Sequence, residues 1–472
     1  MTEPRRQSIS FGVPLVVGAL FAASSAPFGA SDPDLFWHLA TARETLARGL
    51  VRIDVFSWTV AGSPLPADQW LGQLAWYAAY VAGEWRGVVG LRTIGVAILV
   101  ALIVAHALLA RPRGPLVAAL AAIPGILLSR FSWTERPELF GTILFAGTLV
   151  LLRAGRSSSD RALYAVPAAV LLWANVHGSY ALGAVVVVAT CAEGAWSERG
   201  RARTYALAGA LTLAATFATP ALAATWANPG LHLLHPPRDI QEWAVPDVRT
   251  AAGALYALTL ALVLGCAVLV RPVGLREAVT LAPIALLSLT AARHMQLFAI
   301  AAAPYLAGAA PDAWRSLREA VRLDVPFPRL PASSPPSART DALVAAAAAL
   351  LIAGAVATGP RAPDLMAFPV AALPDLPSGP GLLNAYDWGG FLVWYAPRTP
   401  VFIDGRLVPY LGATLDDYKT IVGALPGWRE VLARRGVRTL LVRPGDALAV
   451  RAADLGWRVR RASQGFVLID VP

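Results

Sequence analysis

Long apolar runs dominate the chain, and short loops that carry arginine separate them. A helix needs about 20 predominantly apolar residues to cross the hydrocarbon core of a bilayer. The runs therefore predict a polytopic α-helical membrane protein, because inside lipid only closed regular structure satisfies the backbone polar groups. About eleven spans are expected, near residues 11–30, 88–110, 115–129, 138–152, 162–174, 178–196, 204–224, 251–270, 278–292, 297–311 and 342–359.

The composition favours a membrane protein over a soluble one. Of the 472 residues, 56% are hydrophobic and only 15% are charged, which leaves more apolar surface than a soluble fold can bury. The formal net charge of +10 comes largely from arginines in the short loops, as the positive-inside rule predicts. We therefore expect membrane lipids around the chain and no nucleic-acid partner.

The same arginines predict an orientation in which the N-terminus is cytoplasmic and the C-terminus lies outside. Arg5 and Arg6 precede the first apolar run, which is either a cleaved signal peptide or a retained helix. Its continuation to residue 30 favours retention. Arginine is much preferred to lysine, so we expect the plasma membrane of a bacterium. The expected cytoplasmic loops are residues 111–114, 153–161, 197–203, 271–277 and 312–341.

Two domains are expected. Residues 1–359 would form the transmembrane domain, with the proline-rich segment 312–341 as a cytoplasmic linker. Its first outer loop, residues 31–86, carries amphipathic stretches at 33–49 and 68–83, which predict helices lying in the outer interface. These helices either only pack against the bundle or take part in function, and both interpretations remain open.

The remaining residues, 360–472, have shorter apolar runs and more charge. This change predicts a small α/β domain on the outer face, large enough to fold by itself. We expect strands at 391–395, 399–404, 438–442 and 465–470, and helices at 426–435 and 447–455.

The sequence SDPDLFWHLA, at the start of the first outer loop, offers side chains suited to catalysis. Asp32 can be explained as a helix N-cap, with Pro33 at the first helical position. The cap does not explain Asp34, or His38 one turn later. Asp32, Asp34 and His38 are the candidate catalytic residues.

The sequence SWTERPELF places Glu135 and Glu138 one turn apart, on either side of Arg136. The acids either mark a helix start, where the dipole favours negative charge, or bind a ligand. Carboxylates from separate loops suit Mg²⁺ or Mn²⁺. The candidate metal ligands are therefore Asp32, Glu135 and Glu138, and Arg136 is a candidate for substrate binding.

Two further outer loops carry basic residues that could bind an anionic substrate. Arg293 and His294 lie at the outer end of a span, where a cation requires an anion or an ion pair. The planar fork of arginine suits phosphate. His177, in the tight turn ANVHGS, is a candidate for substrate binding or for packing, and both remain open.

Two stretches carry a resemblance to a known family. DPDLFWHLATARETLARG resembles the first outer loop of oligosaccharyltransferase catalytic subunits, where an Asp-Pro pair opens an amphipathic helix. YDWGGFLVWYAPRTPVFIDGR is similar to their WWDYG region. The two interfacial helices also resemble the wider GT-C glycosyltransferase superfamily, which includes protein mannosyltransferases and aminoarabinose transferases. Together with the topology, the resemblance covers about a third of the chain.

The resemblance implies an inverting transfer of a sugar from a polyprenyl phosphate or pyrophosphate donor in the cell envelope. Asp32, with Asp34 as the second choice, would be the base or a metal ligand. Glu135 and Glu138 stand where the family has an acidic pair, with two residues between them instead of one. Tyr386, Asp387 and Trp388 match the WWDYG region in part and would bind substrate. The acceptor would be a lipid, a glycan or a protein.

Two other functions remain open. A non-catalytic scaffold or assembly protein could keep a GT-C-like fold without chemistry. A lipid or glycan transporter would need polar groups through the bilayer midplane and broken helices in related halves of the chain, and neither is clear in the sequence.

Overall fold

A computed structural model describes the chain apart from residues 1–11, 111–113, 158, 235–236, 238–239, 271 and 322–337. The described residues form two compact units. The bundle unit comprises Met1–Phe28 and Val89–Pro360, and the sheet unit comprises Gly29–Val88 and Arg361–Pro472. The predicted first outer loop and the C-terminal region are therefore parts of the same unit.

The described elements are mostly α-helices. In chain order the helices are α1 (Gly12–Ser25), α2 (Pro33–Arg48), α3 (Trp70–Leu108), α4 (Pro115–Ser129), α5 (Pro137–Ser157), α6 (Asp160–Val176), α7 (Tyr180–Ser197), α8 (Ala202–Phe217), α9 (Ala227–Leu234), α10 (Ala251–Leu269), α11 (Leu275–Ser288), α12 (Met295–Val321), α13 (Ala338–Thr358), α14 (Gly389–Tyr395), α15 (Ala413–Val422), α16 (Trp428–Arg435) and α17 (Ala447–Asp454). The strands are β1 (Leu382–Asn384), β2 (Thr439–Val442), β3 (Val459–Ala462) and β4 (Val467–Asp470).

Six helices among the described residues are long and apolar enough to cross a membrane, or seven if the bent pair Arg199–Phe217 and Leu222–Leu231 is one span. The predicted helical membrane architecture is thus present, but the count of about eleven spans is not confirmed. One reason is length: α6 has 17 residues and α11 has 14, fewer than the roughly 20 that a straight crossing needs. The predicted linker at 312–341 begins inside α12, and most of it lies outside the described residues.

The helices of the bundle unit pack closely where one of them offers a glycine. A Cβ atom on Gly183 of α7 or Gly194 of the same helix would collide with the rings of Trp173 and Tyr205 respectively. Small residues allow such approach between membrane helices, where the hydrophobic effect does not drive association. The apolar core between α5, α6, α7 and α8 includes Leu152, Leu163, Val166, Val170, Val187 and Cys191.

The segments expected in the interface form α2 and the first part of α3. Helix α3 is interrupted at Gly83 and Glu84, whose backbone angles are not helical. The predicted helix at 68–83 is therefore followed by a break and then by a long apolar helix. Glu84 has a φ of 50°, which is a conformation that a residue with a side chain rarely adopts.

The sheet unit contains a sheet with strand order β1-β2-β4-β3. Strands β1 and β2 are parallel, with Leu383 opposite Leu440, and the other two pairs are antiparallel. The first outer loop also pairs with the C-terminal region inside this unit. The backbone N–H of Trp58 donates to the carbonyl of Val401, and the N–H of Val401 donates to the carbonyl of Phe56. Pairing across more than 300 residues fixes the loop against the C-terminal region.

Two predicted strands were wrong. Residues 391–395 form helix α14, and residues 399–404 contain only an isolated bridge at Val401. A short apolar run is compatible with a buried strand or a buried helix, and periodicity alone cannot separate them. The strands at 438–442 and 465–470 and both predicted helices are present as β2, β4, α16 and α17. Strands β1 and β3 and helix α15 were not predicted.

Glycine decides the position of α14. A Cβ atom on Gly390 would lie 2.5 Å from the carbonyl oxygen of Pro33, at the start of α2, and 3.2 Å from Cδ1 of Trp37. A Cβ atom on Gly389 would collide with the backbone of Ile403 and Asp404. The Gly-Gly pair is therefore needed for close approach between α14, α2 and the segment that follows.

We expect Gly390→Ala to lower the thermal unfolding midpoint of the purified protein, because overpacking a tight contact costs about 1–3 kcal/mol. Gly445→Ala is the matched control, since a Cβ atom there has nothing within 4 Å. Unfolding in detergent would be followed by tryptophan fluorescence. Equal midpoints for the two variants would contradict the packing argument.

Candidate functional site

The first candidate cluster lies in the sheet unit at the start of α2. Asp32 is the N-cap of this helix, and its Oδ1 accepts a hydrogen bond of 2.9 Å from the backbone N–H of Asp34. The N-cap interpretation is therefore confirmed. The Oδ1 atom of Asp34 accepts from the indole Nε1–H of Trp37 at 3.0 Å, which fixes the orientation of that carboxylate.

Asp34 also meets the second stretch that carried the resemblance. A Cβ atom on Gly405 would collide with Oδ1 of Asp34, so only glycine allows this approach. With Pro33 against Gly390, two short motifs that are far apart in the sequence are packed together. His38 is buried beside them, with its Nδ1 3.3 Å from Nε2 of Gln73 and its ring close to Trp37.

The second cluster of the sheet unit is a buried charge network. The guanidinium of Arg406 donates to Oδ1 of Asp54 at 2.6 Å and, through Nε, to Oδ1 of Asp404 at 2.7 Å. The Tyr410 hydroxyl donates to Oδ2 of Asp404 at 2.9 Å. The Asp54 carboxylate also accepts from the hydroxyl and the backbone N–H of Ser57. The network ties the first outer loop to residues 404–410.

This network shifts the ionisation of its members. Burial and then the nearby negative charge of Asp404 raise the pKa of Tyr410 well above its usual value, so the phenol stays protonated and donates. Burial opposes the charge of Arg406, but Asp404, Tyr410 and Asp54 outweigh it and raise the pKa of the guanidinium. The arginine is thus permanently charged.

The predicted substrate-binding triplet of the sheet unit is divided. Trp388 is buried, and its Nε1–H donates to the carbonyl of Ala367 at 2.9 Å, so its ring is closed off from solvent. The backbone N–H of Tyr386 donates to the Tyr418 hydroxyl at 2.8 Å. Asp387 is exposed and pairs with Arg443 at 3.0 Å. Only Asp387 therefore presents a charged group at the surface, and a substrate role for the triplet stays a prediction.

The main cluster of the bundle unit joins the predicted substrate-binding arginines. Glu138 lies 3.5 Å from Nη2 of Arg136 and 3.3 Å from Nη2 of Arg293. Glu242 lies 2.8 Å from Nη1 of Arg293 and 3.7 Å from Nη2 of Arg136. These four residues form a closed ring of alternating charge, which we call the Arg–Glu ring. It lies where α5 and α12 begin.

The two histidines predicted to bind substrate, His177 and His294, lie beside the Arg–Glu ring and are neutral. Burial, followed by the positive charges of Arg293 and Arg136, lowers the pKa of His177 to about 3. The Nδ1 of His177 accepts from the backbone N–H of Ser179, so the proton of the ring is on Nε2. Burial, and then Arg293, lowers the pKa of His294 to about 4.

Two of the three predicted metal ligands, Glu135 and Glu138, are paired with arginine. Glu135 is buried and bound by the guanidinium of Arg92, which also donates to the carbonyls of Ser25 and Phe28 at 2.9 and 2.6 Å. Glu138 belongs to the Arg–Glu ring. Among the described residues, no group of three or more histidine, cysteine, aspartate or glutamate side chains is arranged to hold a metal ion. Metal binding by Asp32, Glu135 and Glu138 stays a prediction.

Comparison with known proteins identifies the fold. No protein-family model and no curated protein matches the chain. Among solved structures, the archaeal oligosaccharyltransferase AglB from Archaeoglobus fulgidus, in complex with an inhibitory peptide and a dolichol-phosphate, aligns with a TM-score of 0.59 and 13% identity over 92% of this chain and 69% of its own. ArnT from Cupriavidus metallidurans in the apo state aligns with a TM-score of 0.53 and 16% identity over 97% of both chains.

The chain has the GT-C glycosyltransferase fold. The apo form of the Archaeoglobus fulgidus oligosaccharyltransferase gives the same result, with a TM-score of 0.55 and 12% identity over 91% of this chain and 69% of its own. The resemblance predicted from the two short stretches is thus confirmed at the level of the fold. Identity this low carries no information about individual residues.

Within this GT-C fold, three charged residues were not selected from the sequence. Asp54 pairs with a residue more than 300 positions away, so no local signal could identify it. Glu242 likewise contacts arginines from two distant loops. Arg92 could have been found, because an arginine inside an apolar helix demands a partner. The sequence did predict that five residues lie on the outer side of the bundle: Arg136, Glu138, His177, Arg293 and His294.

We expect Arg406→Gln to destabilise the sheet unit by about 3–5 kcal/mol, because it leaves two buried carboxylates without their cation. Arg434→Gln, which removes an exposed pair with Asp417, should cost no more than about 1 kcal/mol. Denaturant unfolding in detergent would compare them. Equal losses for the two variants would contradict this explanation.

Acid should destabilise the bundle unit partly through His177. The folded pKa of about 3 lies below the unfolded value of about 6.5, so the unfolded state binds more protons below pH 6.5 and stability falls as pH falls. For this residue the loss between pH 7 and pH 5 should be about 2 kcal/mol. His177→Asn keeps an acceptor without titrating, and its unfolding free energy should decline less steeply. An unchanged slope would refute a buried neutral imidazole.

Proposed function

We propose that the chain is a membrane glycosyltransferase that transfers a sugar, with inversion, from a polyprenyl phosphate or pyrophosphate donor to a lipid, glycan or protein acceptor. The observation that carries the proposal is the pair Arg136 and Arg293, held side by side at the ends of α5 and α12 in a chain with the GT-C fold. The setting we propose is the outer face of a bacterial plasma membrane.

The two arginines would bind the phosphate of the donor. Each guanidinium keeps its charge at any physiological pH and offers a planar set of donors that matches phosphate oxygens. Their side chains are only 19% and 16% exposed, so the surrounding dielectric is lower than in water and the attraction is stronger. His177 and His294 stay neutral, so the ring nitrogens contribute dipoles and no additional charge.

The carboxylate at the start of α2 would serve as the general base. In the transfer, Asp34, or alternatively Asp32, takes the proton of the acceptor hydroxyl while its oxygen attacks the anomeric carbon of the donor sugar. The bond between that carbon and the phosphate oxygen breaks, and the electron pair leaves with the phosphate. Attack from the opposite face inverts the configuration. His38, held by Gln73 beside Trp37, would keep this helix start in place.

Charge develops on the leaving phosphate, and a fixed cation nearby stabilises it. The arginines can supply this stabilisation without Mg²⁺ or Mn²⁺. AglB was solved with a dolichol-phosphate, and another structure of the Archaeoglobus fulgidus enzyme holds a tethered acceptor peptide. We therefore propose the lipid-linked donor first, and we include peptides among the acceptors to be tried.

The direct test is transfer of radiolabelled sugar from a panel of polyprenyl-linked donors by the purified protein. Asp34→Asn should reduce the rate at least about 100-fold, because a general base contributes that much or more. Asparagine keeps the oxygen that accepts from Trp37, so folding should be preserved. Asp32→Asn preserves the cap in the same way, and comparing the two variants identifies the base.

Glu44→Gln is the control, because Glu44 belongs to the same helix and pairs only at the surface with Arg48. Its rate should equal that of the wild type. Chelation of divalent ions should leave transfer in place. If no donor supports transfer, with or without Mn²⁺, while the protein remains folded, the enzyme proposal fails and a non-catalytic scaffold or a transporter takes its place.

A further inference from the structure

The two carboxylates of the Arg–Glu ring are supported differently. Glu138 lies in the first turn of α5, where the helix dipole favours a negative charge, and its side chain is 9% exposed. Glu242 lies on the three-residue 3-10 helix Gln241–Trp243, and its side chain is 19% exposed. A single turn of this kind is held weakly by its own hydrogen bonds. Glu242 is therefore the more easily displaced member.

Glu242 presents to the arginines the groups that a phosphate would present. One oxygen, Oε1, accepts from Nη1 of Arg293 at 2.8 Å, and the other faces Nη2 of Arg136 at 3.7 Å. Trp243 follows directly, and the guanidinium of Arg293 stacks on its ring at 4.7 Å. The backbone of the segment is tied down by a hydrogen bond of 2.8 Å from the Ala292 N–H to the Ala244 carbonyl.

We infer that Glu242 occupies, in the free protein, the place on Arg136 and Arg293 that the phosphate of a lipid-linked ligand takes. Binding would then displace the Glu242 side chain from the two arginines. This inference rests on the proposed function, because it concerns the same two arginines. Glu242 would act as an internal competitor that keeps the cations neutralised while no donor is present.

The charges of the ring explain why a phosphate could win this competition. Two arginines and two glutamates sum to zero, and the neighbouring histidines add no charge because both are neutral. When Glu242 leaves, Arg136 and Arg293 face one remaining carboxylate, that of Glu138. A phosphate group carrying one negative charge restores the balance and offers more acceptor oxygens than a carboxylate does.

The test measures binding of farnesyl phosphate to the full-length protein in detergent by isothermal titration calorimetry. Glu242→Gln removes the competing charge and keeps the size of the side chain, so binding should become about tenfold tighter. Arg293→Gln removes a phosphate ligand and should weaken binding at least about tenfold. Asp247→Asn is the matched control, since Asp247 lies in the same loop and pairs only at the surface with Arg249.

A second measurement keeps the test valid if Glu242→Gln folds less stably than the wild type. The rise in thermal midpoint caused by saturating farnesyl phosphate should be larger for Glu242→Gln than for the wild type, even if the ligand-free variant is less stable. Inorganic phosphate, titrated in parallel, separates the two sources of the headgroup. If both ligands raise the thermal midpoint more for Glu242→Gln than for the wild type, the phosphate site is supported. If only farnesyl phosphate does so, the lipid chain is also needed for binding.

The outcomes separate the two proposals. If Arg293→Gln weakens binding but Glu242→Gln binds no more tightly than the wild type, the competitor inference is overturned and the proposed donor site stands. If Arg293→Gln binds as well as the wild type, the donor site itself is wrong. If Asp247→Asn tightens binding as much as Glu242→Gln, the effect is a general charge effect and the inference falls.

Discussion

Guanidinium–carboxylate pairs bury charge in both units of the described chain. Arg92 pairs with Glu135 inside the bundle unit, and Arg406 pairs with Asp54 and Asp404 inside the sheet unit. The penalty for removing either partner from water is several kilocalories per mole and is recovered only by good geometry and further hydrogen bonds. The elements that carry these residues are therefore held in place by their charges as well as by their apolar faces.

Pairs of arginine and glutamate also lie at both ends of α5. Helix α5 begins at the Arg–Glu ring and ends near Arg156, which donates to the buried carboxylate of Glu193 at 2.8 Å. Arg276, in the first turn of α11, approaches the same carboxylate at 3.5 Å. A helix anchored by charge at both ends has a fixed axial position, and this fixes the loops between helices, where the candidate functional residues are.

In the sheet unit, glycines also fix the positions of neighbouring segments. Gly389, Gly390 and Gly405 allow backbone and carboxylate atoms to approach where any side chain would collide. As a result Oδ1 of Asp34 accepts from the indole of Trp37 and lies close to Gly405. A candidate base that is held this firmly is preorganised, which lowers the cost of reaching a reactive geometry.

The sequence determined the fold class of the protein, because it depends on local patterns. Apolar runs predicted membrane helices, an Asp-Pro pair predicted the cap at Asp32, and short motifs predicted the GT-C fold. It also placed Arg136, Glu138 and Arg293 on one side of the bundle. Buried apolar runs were ambiguous, which is why α14 was taken for a strand.

Only the tertiary structure decided the partners. Asp54 with Arg406, Arg92 with Glu135 and Glu242 with Arg293 join residues far apart in the sequence, and no periodicity or spacing encodes such pairs. They also decided which acids are engaged by arginine, among them Glu135 and Glu138. The physical reason is that the cost of a buried charge is met by whichever opposite charge the fold brings near, and folding alone selects it.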